Sequence, residues 1–257
     1  MRGRPIRLNR QTLLLKPNKD YAELIFVGDV HLGYPTTNIE EFQDQLEYAL
    51  KKKTYVLLMG DLLESGLTTS IGDSVYHQKL NPQEQMETMV EMLEPLAKAG
   101  LILGLHSGNH ENRITNATGI DISKIMARLL NVSYLSYACW SLFTVGKIRY
   151  TCYSTHGKSG ARFKHTKLKV AMDMTAWIDS DILAHAHVHD RATEPIIKQM
   201  FDATRNKMIH KKQMVCLTGS FLEWDNSYAQ AAGYSISSIG SPKIKLSAVK
   251  KDVNSSL

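Results

Sequence analysis

Three histidines alternate with small apolar residues in Ala184-His185-Ala186-His187-Val188-His189-Asp190, directly after Ile182-Leu183. On a strand, side chains at every second position share a face, so the three imidazoles can converge on one spot, and such convergence signals a metal site. Two readings follow. Either all three bind one ion, or the strand ends at His185, a packing residue, and only His187 and His189 reach metal from the loop beyond. A solvated or core-packed histidine tract is the plain alternative, and the choice turns on whether the chain offers further ligands.

It offers them just past successive apolar runs. Glu23–Val27 ends in Gly28-Asp29-Val30-His31, and Tyr55–Met59 ends in Gly60-Asp61-Leu62-Leu63-Glu64. Leu101–Leu105 is followed by His106-Ser107-Gly108-Asn109-His110-Glu111-Asn112-Arg113, and Ile148–Tyr153 leads into Ser154-Thr155-His156-Gly157. In open α/β sheets, functional side chains gather where strands end. One Gly-Asp turn means little. Two at neighbouring strand ends set carboxylates side by side, which costs electrostatic energy unless a cation lies between them.

The intervening segments supply elements that could position these ends. Apolar spacing predicts helices over Ile39–Leu50, Pro82–Ala99, Asp121–Leu130 and Phe163–Ile178. Tyr134–Ala138, Trp140–Val145 and Ile148–Tyr153 read as antiparallel strands, Arg191–Phe201 and Met208–Leu217 as a hairpin, and Pro242–Val249 as a last strand before a frayed tail, Lys250–Leu257. Leu67–Leu80 reads as a polar loop over the site, and Met1–Arg10, with four arginines, as a loose arm or edge element.

Composition narrows the class. With 257 residues, 43% hydrophobic and 22% charged, the chain fits one globular domain spanning 1–257. No apolar run approaches the roughly 20 residues of a membrane span, and no apolar core follows the basic start, so a cytoplasmic protein is expected. Cys139, Cys152 and Cys216 are odd in number and set in apolar surroundings, which suits reduced core thiols. A net charge of +6 favours a polyanionic partner. Lys147, Arg149, Lys158, Arg162, Lys164, Lys167 and Lys169 run past His156 without an acid among them, either as a solvated face or as a track for nucleic-acid phosphates.

In order, D-x-H, G-D, G-N-H-[DE], an isolated H and x-H-x-H over Leu24–Asp190 resemble the calcineurin-like metallophosphoesterase family. The Asp29–Gly33 block is also similar to the opening motif of the superfamily's DNA-repair exonucleases. The stretch after Asp190 is short for that branch's additional domains, and the layout with Thr218–Leu222 looks more like small stand-alone, phage-type members. The resemblance implies a four-layer α/β/β/α sandwich of two mixed sheets flanked by helices. It implies a dinuclear centre, with Asp29, His31, Asp61 and His189 on one ion, and Asp61 as bridge, Asn109, His156 and His187 on the other. His110 would face the substrate, hydrogen-bonding the phosphoryl group or protonating the leaving oxygen, with Glu111 holding its tautomer. Arg113, Lys158 and Arg162 would bind substrate. Imidazole, carboxylate and amide ligands suit two ions of manganese, or iron or zinc, better than magnesium or calcium.

Two positions depart from the family pattern. Ala186 stands in place of a Gly, which matters if that position needs φ > 0, and Glu111 stands where Asp is commoner. The expected activity is hydrolysis of phosphodiesters, in DNA or RNA above all. A phosphomonoesterase or cyclic-nucleotide phosphodiesterase is the alternative, and a non-catalytic binding scaffold the lesser one. Scaffold relatives tend to lose ligands or the substrate-facing histidine, whereas all seven ligand positions and His110 are filled in this chain.

Overall fold

The computed structural model describes residues 9–70, 74–231 and 233–257, apart from the side chain of Tyr228. The arginine-rich arm therefore lies outside the described residues except for Asn9 and Arg10, as do positions 71–73 of the expected polar loop. In chain order the elements are β1 (Arg10–Leu15), β2 (Tyr21–Val27), α1 (Ile39–Lys52), β3 (Tyr55–Leu58), α2 (Ser74–His77), α3 (Pro82–Lys98) and β4 (Ile102–His106). Then follow α4 (Glu111–Thr118), α5 (Ile122–Leu129), β5 (Tyr134–Ser136), β6 (Ala138–Val145), β7 (Ile148–Thr155), α6 (Lys164–Met174) and β8 (Ile182–His185). β9 (Arg191–Asp202), β10 (Lys207–Thr218), α7 (Tyr228–Ala231), β11 (Lys243–Ser247) and β12 (Val253–Ser256) complete the order.

Two mixed six-stranded sheets result, β1-β6-β7-β8-β10-β9 and β12-β11-β2-β3-β4-β5. The alternation within β2 explains the layers. Leu24 and Phe26 enter a core shared with Phe143, Cys152, Ala184 and Cys216 of the other sheet, while Ile25 and Val27 pack with Phe42, Met89, Leu93 and Met126 from α1, α3 and α5. On the far side, Leu183, Val215 and Leu217 meet Ala171 of α6. Strands buried on both faces carry continuous apolar runs, which is why β2, β3 and β8 read as strands without polar alternation. The three cysteines are free and buried.

The parallel trio β2-β3-β4 in one sheet and the parallel pair β7-β8 in the other deliver their C-terminal ends to the loops that carry the candidate ligands. Three expectations need correction. β5 does not join β6 and β7 as an antiparallel meander; it pairs parallel with β4 in the second sheet, because Ser136 adopts a left-handed φ of 57° and turns the chain across to β6. The tail is not frayed, since Val253, 5% exposed, anchors β12 against β11. The basic run is divided: Lys147 and Arg149 sit at the β6–β7 turn, the far end of β7 from His156 and so roughly 23 Å away, Lys167 is buried, and Lys169 pairs with Asp173.

Candidate metal centre

Past their last ladder bonds, the β2 and β3 chains stay side by side: Asp29 N–H donates to Gly60 O at 3.0 Å, His31 N–H to Asp61 O at 3.0 Å and Leu32 N–H to Leu62 O at 2.9 Å. Within this paired run Asp29, His31 and Asp61 have left-handed φ of 53°, 55° and 49°, and across the site His187 and His189 have 68° and 49°. Five of the seven expected ligands thus occupy a region that non-glycine residues rarely adopt, at a cost of order 1–2 kcal/mol each. Such clustering is characteristic of binding and catalytic sites. β8 ends at His185, as the second reading of the histidine tract has it, and the turns at His187 and His189 aim those rings. Ala186 has no positive φ; the left-handed turn falls one residue later.

The carboxylates are set in matching ways. Asp29 Oδ2 accepts the His187 N–H at 2.9 Å, whereas its buried Oδ1 accepts no hydrogen bond and stands 3.3 Å from His189 Nε2. Asp61 Oδ1 accepts the His110 N–H at 2.8 Å, whereas its buried Oδ2 likewise accepts none and stands 3.3 Å from His156 Nε2. Room for Asp61 depends on Gly108, where a Cβ would lie 2.1 Å from Asp61 Oδ1.

The imidazoles are pinned from outside. His156 Nδ1 donates to Met59 O at 2.9 Å, His187 Nε2 to Ser159 O at 3.1 Å, and His31 Nδ1 contacts Glu64 Oε2 at 3.1 Å. In each ring the other nitrogen faces the cluster; His187 Nδ1 is buried without a partner. Fixing the outer nitrogen as donor leaves the inward nitrogen to hold either a proton or, with that proton displaced, a metal ion. Ligand-capable atoms fall within 4.8 Å of one another in the groups Asp29-His31-His189, Asp61-His156-His187 and His31-Asp61-His110. Asn109 Oδ1 adds an amide oxygen 3.1 Å from His156 Nε2. Bare buried carboxylate oxygens beside inward imidazole nitrogens are a donor set suited to divalent cations.

Charge within the cluster bears out the need for balance. Burial disfavours an ionised Asp61, yet His156, His110 and His31 outweigh it and hold the carboxyl well below its usual value. Burial likewise opposes a charged His156, but Asp61 and Asp29 push it up to about 10. His31 goes the other way, to about 4, through burial and the neighbouring His110.

Glu111 does not hold His110. Its carboxylate accepts backbone N–H groups from Asp61 (3.0 Å), Leu62 (2.7 Å), Leu63 (3.0 Å) and Gly108 (2.9 Å), tying the β3 and β4 loops together. It lies at the first turn of α4, a helix too polar for its periodicity to be visible in the sequence. The side chain that touches His110 is Glu64, missed from sequence: Oε2 lies 3.2 Å from His110 Nδ1, which also faces Glu64 O at 2.9 Å. Arg113 donates to Glu64 Oε1 at 3.1 Å and reaches His110 Nε2 at 3.0 Å. Nothing marks Glu64 in the sequence except an acid directly after an apolar pair; the pairing of Leu32 with Leu63 brings it level with His31.

Arg113 also borders a depression of about 600 Å³ lined with Asn109, Thr69 and Ser70, which brings the start of the expected polar loop to the site. Lys158 and Arg162 are exposed on the segment after His156, and Arg162 lies 6.0 Å from the Tyr234 ring. Neither makes a described contact with the ligand cluster. His185 packs its ring over Gly157, where a Cβ would lie 2.2 Å from Nε2. His106 bonds Ser136 O and Ser154 Oγ, outside the cluster.

Neither a family model nor a curated protein matches the chain. Among solved structures, wild-type Vps29 from Entamoeba histolytica complexed with zinc is similar at a TM-score of 0.38 and 14% identity, over 91% of this chain and 97% of that one. A single mutant of the same protein is similar at 0.40 and 14%, with the same coverage. Likeness at this level assigns no function to this chain. Among the described residues no helix is long and apolar enough to cross a membrane.

Proposed function

We propose that this chain is a dinuclear-metal phosphoesterase of the calcineurin-like kind, hydrolysing phosphodiesters with nucleic acid as the leading substrate class. One observation carries the reading: Asp29 and Asp61 each spend one oxygen on a backbone N–H and leave the other bare and buried, facing an imidazole nitrogen at 3.3 Å. Asp29, His31 and His189 would hold one divalent ion, His156, His187 and Asn109 the other, with Asp61 between them; manganese, iron and zinc all suit these donors. Ions so placed supply Lewis acidity toward a phosphoryl oxygen and a lowered pKa for water.

The protein's own groups do the rest. His110 is raised above its usual pKa, since Asp61 and Glu64 outweigh burial; its Nδ1 donates to Glu64 O, and its Nε2, which accepts the Arg113 N–H at 3.0 Å, would have to exchange that contact for a proton before serving a leaving oxygen. Arg113, beside it, meets substrate charge from the depression at Asn109. Lys158 and Arg162 follow His156 on the exposed rim and are the cations available to a polynucleotide backbone. The division of the basic run favours a second reading, a phosphomonoesterase on smaller substrates.

Assays with Mn²⁺ of bis-p-nitrophenyl phosphate, p-nitrophenyl phosphate and labelled single- and double-stranded DNA separate these readings, with Asp61→Ala and His110→Ala as controls. Diester and DNA cleavage lost in both variants is the expected result. Monoester hydrolysis alone selects the second reading, and no hydrolysis by metal-loaded protein sinks both.

A further inference from the structure

A small cavity opens beside His189, lined among others by Lys167, Ser220, Trp224, Tyr234, Ser237 and Glu223, whose carboxylate accepts from the Asn38 amide at 2.9 Å. Lys167 sits in the first turns of α6 and is only 2% exposed. Among the described residues its ammonium has no carboxylate within 4.0 Å and donates no hydrogen bond; the group it faces is the ring of Tyr234, 5.7 Å away. Asp190 and Asp29 are the carboxylates near enough for its charge to be felt. Asp190 Oδ1 accepts the Ser237 hydroxyl at 2.9 Å while its buried Oδ2 accepts no hydrogen bond, and Asp29 belongs to the ligand cluster.

The ammonium keeps access to the cavity and has no hydrogen-bonded partner in the protein, and a charge so placed is completed by water, an anion or another charge. The cavity's free volume is about 30 Å³. A water needs about 10–15 Å³ measured in this way, so the space admits an oxyanion atom or two and excludes a sugar or a base.

We propose that Lys167 is an anion-binding residue of the site, its ammonium taking a non-bridging phosphoryl oxygen of the ester through the cavity beside His189. This rests on the phosphoesterase reading and deepens it, by placing a fixed positive charge on the His189 flank while Arg113 stands by His110. The cavity would then grip the phosphoryl group itself, whatever alcohol it carries. A lysine serving only to offset Asp190 would leave anion affinity unchanged when neutralised.

The test is calorimetric titration of inorganic phosphate into Mn²⁺-equilibrated protein, beside a titration of Mn²⁺ itself. Lys167→Met is expected to weaken phosphate binding by tenfold or more, on the order of 1.4 kcal/mol, while Lys167→Arg stays close to wild type and neither variant loses Mn²⁺ affinity. Lys167→Gln replaces Lys167→Met if the latter does not fold. Wild-type phosphate affinity in the neutral variant overturns the proposal, as does a wild-type protein that binds no phosphate at millimolar concentration. Lysine-dependent phosphate binding without ester hydrolysis would keep the anion site and remove the phosphoesterase reading. Ester hydrolysis at wild-type kcat/KM by the neutral variant would do the reverse.

Discussion

Glu64 holds three groups at once: the Nδ1 atoms of His31 and His110, at 3.1 and 3.2 Å, and the Arg113 guanidinium, at 3.1 Å. Burial opposes its charge, but the two histidines keep its carboxyl far below the ordinary range, so it remains an acceptor throughout. Glu64→Gln turns one acceptor into a donor, so it must give up either the Arg113 guanidinium on one oxygen or the two rings on the other, and it loses the charge that holds all three. Supporting residues of this kind are worth about 10–100-fold in metal affinity. Equilibrium dialysis against Mn²⁺ should show a loss in that range, and an unchanged affinity would mean that His31 needs no such partner. Glu111 acts on the backbone instead. Truncation to Ala would strand four N–H groups, and a loss of about 3 kcal/mol or more is expected in urea unfolding. Of the residues the sequence singled out, Asp29, His31, Asp61, His110, His156, His187 and His189 fall into the close groups. They were legible because each follows an apolar run. Glu64 was not, because its contacts arise from the lateral pairing of two loops that a linear sequence does not display.

At the level of elements, close approach of the β3 and β4 ends depends on Gly108. Gly108→Ala would drive a Cβ into Asp61 Oδ1, so the variant should fold with reduced stability and lose Mn²⁺, read together by thermal melting and metal analysis. β4 also places His106 fully buried, and burial takes it to about 4 from an ordinary 6.5. As pH falls through 6.5 the unfolded chain gains a proton there and the folded one does not, so stability declines until about pH 4 and then levels. Between pH 7.5 and 5 this group alone removes about 2 kcal/mol. The urea midpoint of a His106→Asn variant should therefore depend less on pH across that window than that of wild type; equal dependence would locate the acid sensitivity elsewhere. Strand boundaries were readable from apolar runs, but the partner of β5 was not, since a three-residue strand has no periodicity that tells parallel from antiparallel neighbours.

For the whole molecule, the ligand-capable residues come from both sheets: Asp29, His31 and Asp61 follow β2 and β3, while His156, His187 and His189 follow β7 and β8. A bound ion would link the two sheets at one edge of their shared core. Binding to the folded state alone stabilises by about 2.7 kcal/mol at a hundredfold excess over Kd, so a chelator should lower the melting temperature of Mn²⁺-loaded protein, and Asp61→Ala should abolish most of that difference. A melting temperature indifferent to both metal and chelator would argue against a site spanning the sheets.

Residue type and spacing by themselves determined that carboxylates and imidazoles recur at strand ends and that the strands are buried on both faces, because burial pattern and turn chemistry are local properties. Only the tertiary structure decided which carboxylate oxygens stay bare, that Glu64 rather than Glu111 supports His110, and that Lys167 is buried beside His189 while Lys147 and Arg149 lie at the opposite end of β7. Those facts depend on left-handed turns, loop pairing and the packing of α6 against its sheet, which bring together groups far apart in the chain.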